Sequence, residues 1–273
     1  MQKPLLIAIA LLLFLPNLFN KDIHSTLTYN QKEKFNSQLT YLNTVDKIEQ
    51  YIDSLAIANH ISTNSIAYIE LTESVIQDRF YHGFSHFSLN ENWIAAFCGK
   101  MFEEGLACKV KPEDILQHSN AACSQQSIVI MCLLRKKNIS YRKVGFPHHY
   151  AVEILSNNNW YFVDPDMEPV ITREQRMLSS WKHQNDNLKK YYDPARFNDL
   201  DYQFGIGLTA ITGSINEVPA SNARLFQGAT AVLSKIVWMF PLLLLFFKPH
   251  FSFRKIFSFN RRIRRTPSVS LAT

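Results

Sequence analysis

The chain has 273 residues, of which 47% are hydrophobic, 13% aromatic and 19% charged, so it is neither disordered nor low in complexity. Its formal net charge of +6 comes from one end, because seven Lys and Arg residues lie from Lys248 onward and no Asp or Glu accompanies them. The other 22 of the 29 basic residues nearly balance the 23 acidic ones, so the body of the chain offers no phosphate-binding surface and we expect no nucleic-acid partner.

An apolar run from Leu5 to Leu15 follows Lys3 at the start of the chain. A positive start followed by about a dozen apolar residues is typical of a secretory signal or a short membrane anchor. We therefore predict a signal peptide or N-terminal membrane anchor over residues 1–20. The sequence leaves open whether this segment is cleaved.

A second apolar stretch, residues 228–247, is followed at once by the basic tail, residues 248–273. About twenty residues cover the ~30 Å hydrocarbon core of a bilayer, provided that Lys235 extends its charge to the interface. The positive-inside rule places the basic tail in the cytoplasm. We therefore predict a single C-terminal transmembrane helix and an extracytoplasmic domain over residues 21–227, which would be periplasmic in a bacterium.

The stretch 21–227 contains no repeat and no Gly/Pro-rich linker, which indicates one domain. Apolar residues at helical spacing predict a helix over residues 45–55. Ser88 predicts the N-cap of a second helix, and Pro112 suits the first turn of a short third one. The segment 123–137 is so apolar on every side that it predicts a helix buried in the middle of the domain.

After this helix the pattern changes to short segments that are rich in aromatic and β-branched residues. Residues 139–144, 149–155 and 160–164 predict three strands, and the Asn-rich segment 156–159 predicts a hairpin turn between the last two. Beyond Pro169 the pattern is helical again. This order predicts an α+β fold in which a buried central helix packs on an antiparallel sheet.

Three reactive side chains lie at the ends of these predicted elements. Cys123 opens the buried helix, where free backbone N–H groups and the helix dipole favour a thiolate. His149 begins one strand and Asp164 ends the next, and adjacent antiparallel strands bring such residues side by side. In thiol acyl chemistry the imidazole takes the thiol proton and the carboxylate orients the imidazole. The sequence therefore predicts a catalytic triad of Cys123, His149 and Asp164.

Three segments around these residues follow one another along the chain: Cys123-Ser124-Gln125-Gln126-Ser127 running into Leu133-Leu134-Arg135, then His149-Tyr150-Ala151-Val152-Glu153, then Trp160-Tyr161-Phe162-Val163-Asp164-Pro165. In order and type they resemble the nucleophile helix and the two following strands of the transglutaminase-like superfamily, whose core is papain-like. The resemblance implies a core over about residues 90–170 and attack on a peptide or carboxamide carbonyl through a Cys thioester. Hydrolysis, deamidation or acyl transfer would follow, with a protein or peptide as the substrate.

The neighbours of the triad depart from the family pattern at several positions. Ser124 stands where animal cross-linking enzymes have an aromatic residue, Ser127 where a small Ala is usual, and Ala151 where Trp is usual. These departures support an alternative, a catalytically silent binding or assembly module of the cell envelope that keeps the fold.

Further features stay open at the level of the sequence. In relatives a side chain upstream of the nucleophile supplies the second oxyanion donor, and Gln117, Asn120 and Trp93 are candidates here. An oxidising compartment would favour a disulfide between Cys98 and Cys108. No metal cluster, phosphate loop or dinucleotide motif is visible, so we predict no cofactor and no metal.

Neighbouring residues of the same types are expected to have other roles. Cys132, nine residues after the predicted nucleophile, faces the opposite side of the helix and is expected to be inert. His148 points to the other face of its strand. Glu153 is expected to form a cross-strand pair, and Asp166 is a weaker candidate than Asp164 for the partner of His149.

Overall fold

The computed structural model describes residues 2–24, 28–29, 33–170, 172, 175–181, 188–192, 197–205 and 210–246. The chain divides into two compact units. One is Asn17–Ser234, and the other combines Met1–Pro16 with Lys235–Thr273, of which residues 2–16 and 235–246 are described. The three predicted triad residues all belong to the larger unit.

The helices of the described residues have the following bounds: α1 Gln2–Phe14, α2 Val45–Ala58, α3 Ile66–Arg79, α4 Leu89–Met101, α5 Pro112–Ile115, α6 Cys123–Lys136, α7 Leu178–Trp181, α8 Phe197–Phe204, α9 Ser221–Ile236 and α10 Met239–Leu243. Short 3-10 turns occupy Leu15–Leu18, Ser37–Tyr41, Glu104–Leu106 and Leu188–Tyr191. The predicted helices correspond to α2, α4, α5 and α6. Helix α3 has no counterpart in the prediction, because it buries polar residues such as Glu73 and Arg79 among its apolar ones.

The predicted N-cap and hairpin are both confirmed. Ser88 caps α4 and its backbone N–H donates to the Glu91 carboxylate at 2.8 Å, which is half of a capping box. In the hairpin, Asn157 and Asn158 have φ values of 49° and 61°, so both lie in the left-handed region. Asn tolerates this region, and two such residues in a row form the turn that matches the twist of paired strands.

Four strands form one antiparallel sheet: β1 Tyr141–Gly145, β2 Tyr150–Ser156, β3 Asn159–Val163 and β4 Ile211–Thr212. Their order across the sheet is β3-β2-β1-β4. The register of the β2–β3 hairpin pairs Ser156 with Asn159 and Val152 with Val163. The three predicted strands therefore exist, and β4 adds a short edge strand that the sequence pattern did not indicate.

Two clusters of buried apolar residues surround the sheet. The larger cluster joins α2, α3 and α6 to β2 residues such as Val152 and Ile154. The smaller cluster contains Ala151 and Phe162 from the sheet together with Phe204 from α8. Helix α6 buries ten of its residues, as its apolar sequence predicts. The combination of a buried helix and an antiparallel sheet confirms the α+β class.

The predicted transmembrane helix over residues 228–247 is wrong. Residues 228–236 are the second half of α9, which buries the polar side chains of Thr230 and Ser234. Asn92 of α4 donates from Nδ2 to the Thr230 hydroxyl at 2.9 Å and accepts from the Ser234 hydroxyl at 3.0 Å. The high average hydropathy of this stretch therefore does not indicate a membrane helix. The buried face of α9 carries polar side chains that form hydrogen bonds with α4.

Among the described helices, none combines the length and the apolar character that a bilayer crossing requires. Helix α9 ends after 16 residues at Ile236, and α10 has five. The single C-terminal span, on which the predicted membrane localisation depends, is thus overturned. The basic tail, residues 248–273, lies outside the described residues. Helix α1 has 13 residues and does not provide the membrane anchor predicted over residues 1–20, whereas a signal peptide there, cleaved or not, stays a prediction.

The four cysteines of the chain are all free thiols, so Cys98 and Cys108 form no disulfide. Cys108 instead donates from its thiol to the backbone carbonyl of Glu104 at 3.4 Å. Burial, together with the carboxylates of Glu104 and Asp22, raises the pKa of Cys108, which keeps this thiol protonated.

Candidate active site

Cys123 is the first residue of α6, and Ala122 is its N-cap. The backbone N–H groups at the start of a helix have no partner within the helix, and its dipole favours a negative charge at this end. The Cys123 side chain is buried, with 8% of its surface exposed. The local structure therefore suits a thiolate or an oxyanion, as the sequence predicts.

Gln125, in the first turn of α6, fixes this helix start in the domain. Its side-chain carbonyl accepts from the backbone N–H of Ser85 at 2.9 Å. Its NH₂ group donates to the backbone carbonyls of Ser85 at 2.9 Å and Lys109 at 2.8 Å. A buried amide with such complete pairing leaves little freedom to the residue two positions earlier. The start of α6, where Cys123 lies, is thus held by Ser85 and Lys109, which lie outside this helix.

His149 lies in the tight turn that leads into β2, where its carbonyl accepts from the Phe146 N–H at 2.8 Å. The Ser127 hydroxyl of α6 donates to the backbone carbonyl of Tyr150 at 3.2 Å and ties the helix to the start of this strand. The imidazole of His149 is fully buried, with the ring of Phe204 at a centroid distance of 5.1 Å. Ser127, a departure from the family pattern, therefore contributes a hydrogen bond that positions His149.

The imidazole and the Asp164 carboxylate are in direct contact. Nε2 of His149 lies 2.6 Å from Oδ2 of Asp164, and both side chains are buried. The strand register, continued past Val163, sets Asp164 opposite Ala151, so the pair is a diagonal one across the end of the sheet. The second carboxylate oxygen of Asp164 accepts from the backbone N–H of Met167 at 3.0 Å, which fixes its orientation.

The thiol of Cys123 lies near the imidazole of His149. The sulfur of Cys123 and a ring nitrogen of His149 are within 4.8 Å of each other. Because Asp164 occupies Nε2, the remaining nitrogen is Nδ1, which is buried and has no hydrogen-bond partner among the described residues. Burial alone would lower the pKa of His149, but the Asp164 carboxylate and the neighbouring Cys123 raise this pKa well above its usual value.

A second carboxylate, Asp166, lies near the thiol. One of its oxygens is within 4.8 Å of both the Cys123 sulfur and a ring nitrogen of His149. The same residue contacts Nδ1 of His82 at 2.8 Å, and this hydrogen bond raises the pKa of His82. Gln126 also donates to Asp166 at 3.4 Å. Asp166 therefore links the predicted nucleophile to the more exposed His82 and is not the residue bonded to the imidazole.

The thiol, imidazole and carboxylate of Cys123, His149 and Asp166 could together hold a divalent metal ion. Zinc binds these three ligand types in proteins. A metal bound here would occupy the sulfur and the imidazole that thiol chemistry needs. We therefore expect zinc to block the thiol chemistry of this site.

The candidates for a second oxyanion donor are all engaged elsewhere. The side-chain N–H groups of Gln117, Asn120 and Trp93 donate to backbone carbonyls at 2.8, 2.7 and 3.1 Å. The backbone N–H of Cys123, the first residue of the helix, has no partner within the helix and is a candidate oxyanion donor.

The neighbouring residues lie as the sequence predicts. Glu153 pairs across the strands with Arg142 at 2.7 Å. His148 is exposed and its ring stacks on Tyr202 at a centroid distance of 4.1 Å. Cys132 lies away from the triad and lines a separate small pocket.

Sequence reasoning missed several residues that build the site. Glu73 of α3 accepts from the backbone N–H of Asp164 at 2.7 Å, and no pattern in α3 marks it. Phe204, which covers His149, lies far along the chain. The adjacent amides Gln125 and Gln126 were a usable signal, because two polar residues in so apolar a helix need buried partners.

Comparisons of the chain with protein-family models, with curated proteins and with solved structures find no match. The resemblance to the transglutaminase-like superfamily therefore depends on the three segments around Cys123, His149 and Asp164 alone.

Proposed function

We propose that the chain is a transglutaminase-like thiol enzyme that acts on a peptide or carboxamide bond through a thioester on Cys123. The observation that carries the proposal is the position of His149, with Nε2 on the Asp164 carboxylate at 2.6 Å and the Cys123 sulfur within 4.8 Å of a ring nitrogen. This arrangement provides a nucleophile, a base and a group that orients the base.

In the first half of the reaction, Nδ1 of His149 takes the proton of the Cys123 thiol and the thiolate attacks the substrate carbonyl. The negative oxygen that forms is stabilised by the helix start and the backbone N–H of Cys123. The imidazolium then returns its proton to the leaving amine or ammonia, the C–N bond breaks and a thioester remains. Asp164 keeps the imidazole in the tautomer that can accept a proton at Nδ1.

In the second half, His149 takes a proton from water or from an amine, which attacks the thioester carbonyl. The C–S bond breaks, the proton passes to the sulfur, and the free thiol is restored. Water gives hydrolysis or deamidation, whereas an amine gives acyl transfer. All proton transfers are made by His149, so the chemistry needs no further titratable group.

The substrate would approach from the side of Asp166 and His82. The side chains of Phe204 and His149 are fully buried, whereas those of Asp166 and His82 are 10% and 44% exposed. A carboxylate and a histidine at the entrance favour a substrate with a polar or cationic group near the reacting carbonyl.

The test is the rate of alkylation of each cysteine in the full chain by iodoacetamide, read by peptide mass spectrometry over a pH series. We expect Cys123 to be alkylated faster than Cys132 throughout the pH series, and His149→Ala to remove this reactivity. Cys132, in the same molecule, provides the internal control, because burial raises its pKa. A Cys123 profile that is unchanged by His149→Ala would contradict the proposal.

The alternative function is a catalytically silent binding or assembly module with the same fold. One observation favours it, the 8% exposure of Cys123, which leaves little room for a bulky acyl donor. An unreactive Cys123 in a chain that unfolds cooperatively would support this alternative.

A further inference from the structure

A cluster of metal-ligating side chains lies in the same unit, apart from the triad. His24, His86 and Glu104 each place one ligating atom within 4.8 Å of the other two. We propose that these three residues bind one divalent transition-metal ion of the zinc class. The residues come from three distant parts of the chain, which is why the sequence pattern predicts no metal site.

His86 is the central ligand of the proposed site. Its side chain is 1% exposed, and neither ring nitrogen makes a hydrogen bond with the described residues. A carboxylate oxygen of Glu104 lies 3.1 Å from Nε2, and one of Asp22 lies 3.4 Å from Nδ1. The buried imidazole thus has a carboxylate beside each nitrogen but no well-aligned hydrogen bond to either, and a metal ion on Nε2 would give that nitrogen a bonded partner.

His24 lies against His86 with its ring nearly parallel, at a centroid distance of 4.4 Å and an angle of 20°. Its Nε2 is 3.1 Å from the backbone carbonyl of Ala96. A carbonyl only accepts, so Nε2 carries the hydrogen and Nδ1 carries the lone pair that a metal needs.

The surroundings of the two histidines are those of ordinary metal ligands. A metal-bound imidazole generally directs its other nitrogen to a carboxylate or a backbone carbonyl. Asp22 has this position beside Nδ1 of His86, and the Ala96 carbonyl has it beside Nε2 of His24. Asp22 is itself held by the backbone N–H of His24 at 2.8 Å.

Gly99 of α4 provides the space for the His24 ring. A side-chain carbon at this position would lie 3.0 Å from Cε1 of His24 and 2.4 Å from the Ala107 side chain. His86 in turn forms a strand-like bridge with Cys108, so its backbone is paired. The site is therefore held by α4 and by a paired loop, and its ligands do not depend on exposed chain alone.

The ligand set indicates the class of metal. Two imidazoles and one carboxylate suit zinc and its first-row neighbours, whereas calcium and magnesium prefer oxygen ligands. The Glu104 side chain is 51% exposed, which leaves room for a water molecule as a fourth ligand. The bound ion would join the segment of Asp22 and His24 to α4 and to the turn at Glu104.

The test measures zinc binding by the full metal-free chain in competition with a chromophoric chelator. The chain carries Cys123→Ala, so that the thiol cluster cannot bind the metal. We expect Glu104→Gln to weaken the binding of one zinc ion at least tenfold, since it keeps the size of the side chain and removes its charge. Glu103→Gln, at the exposed neighbouring position, is the matched control and is expected to leave the affinity unchanged.

Cobalt provides a second readout in the same variant. We expect absorption bands of a nitrogen and oxygen site without the strong thiolate band, and the loss of these bands in His86→Gln. Equal zinc affinities of Glu104→Gln and Glu103→Gln would overturn the proposal. So would the absence of zinc binding in the folded Cys123→Ala chain.

Discussion

Helix α6 carries two cysteines nine residues apart, and they lie in opposite surroundings. Cys123 begins the helix, beside a buried imidazole that is bonded to a carboxylate. Cys132 lies in the middle of the helix, where burial raises its pKa and a pocket with Arg135 and Arg224 surrounds it. The same side chain on the same helix thus lies beside an imidazole in one place, whereas the described residues that line the pocket of Cys132 include no histidine. The difference comes from the helix start and from the sheet edge that faces it.

The largest expected effect is a difference in the acylation rate between variants of Cys123 and Cys132. With an activated ester as the probe, Cys123→Ala should abolish the rapid acylation of the protein, a loss of about 10³-fold or more, because the nucleophile is removed. Cys132→Ala should leave the acylation rate unchanged. The measurement is the burst of leaving group in stopped flow. Equal bursts in the two variants would show that the two thiols do not differ.

The next largest effect is expected when Asp164, which we propose orients His149, is changed. Asp164→Asn keeps the size of the side chain, but its amide can present an N–H to Nε2 of His149 and favour the wrong tautomer. We expect acylation of Cys123 to slow by about 10²–10⁴-fold, with Cys132 alkylation unaffected. An acylation rate within a factor of two of the unmodified protein would exclude a role for Asp164.

A smaller effect concerns the position of Cys123. Gln125→Leu removes the hydrogen bonds to Ser85 and Lys109 and leaves buried backbone groups without partners. We expect the free energy of unfolding to fall by about 2–4 kcal/mol, measured from urea denaturation. Gln117→Leu, at an exposed position, is the control and should change stability by less than about 0.5 kcal/mol. Similar urea midpoints for both variants would contradict the role given to Gln125.

An effect of similar or smaller size is expected in the pH dependence of the free energy of unfolding, through His118. Burial lowers the pKa of His118 to about 4, with a contribution from the ammonium of Lys109. The unfolded chain then binds more protons between pH 6.5 and 4, so stability falls as the pH falls through this range. We expect His118→Gln to reduce this acid-induced loss by roughly 2 kcal/mol. Parallel stability–pH curves for the two proteins would contradict the lowered pKa.

The smallest expected effect is on stability and involves His82, at the exposed side of the site. The hydrogen bond to Asp166 raises the pKa of His82, so its stabilising contribution is complete below pH 6.5 and is lost as the pH rises through the raised pKa. His82→Gln should therefore cost the most stability near pH 5 and almost none near pH 9. Because the His82 side chain is 44% exposed, the difference should stay below about 1 kcal/mol. A cost that grows with pH would have the wrong sign for this pair.

Local sequence patterns predicted α6, the three main strands and the Asn-rich hairpin, because each depends on residues that are close together along the chain. The end positions of Cys123, His149 and Asp164 followed from the same elements. Glu73, Phe204 and the amide partners of Gln125 could not be found in this way, since each acts through a contact with a distant segment.

The prediction of a transmembrane helix over residues 228–247 was wrong for a related reason. Its apolar average indicated a membrane helix, but a hydropathy average does not record which side of a helix is buried. In α9 the buried side carries Thr230 and Ser234, and Asn92, which lies far away in the sequence, provides their partner.

The sequence by itself determined helix α6, the three main strands and their hairpin, and where the thiol, imidazole and carboxylate lie relative to these elements. These properties depend on periodicity, capping and turn residues, which act over a few positions. Tertiary structure decided which nitrogen of His149 faces Asp164, that Asp166 lies beside the thiol, and that His24, His86 and Glu104 meet at one point. Such properties depend on packing between distant segments, where the distances between atoms are set by the fold and not by the spacing of residues along the chain.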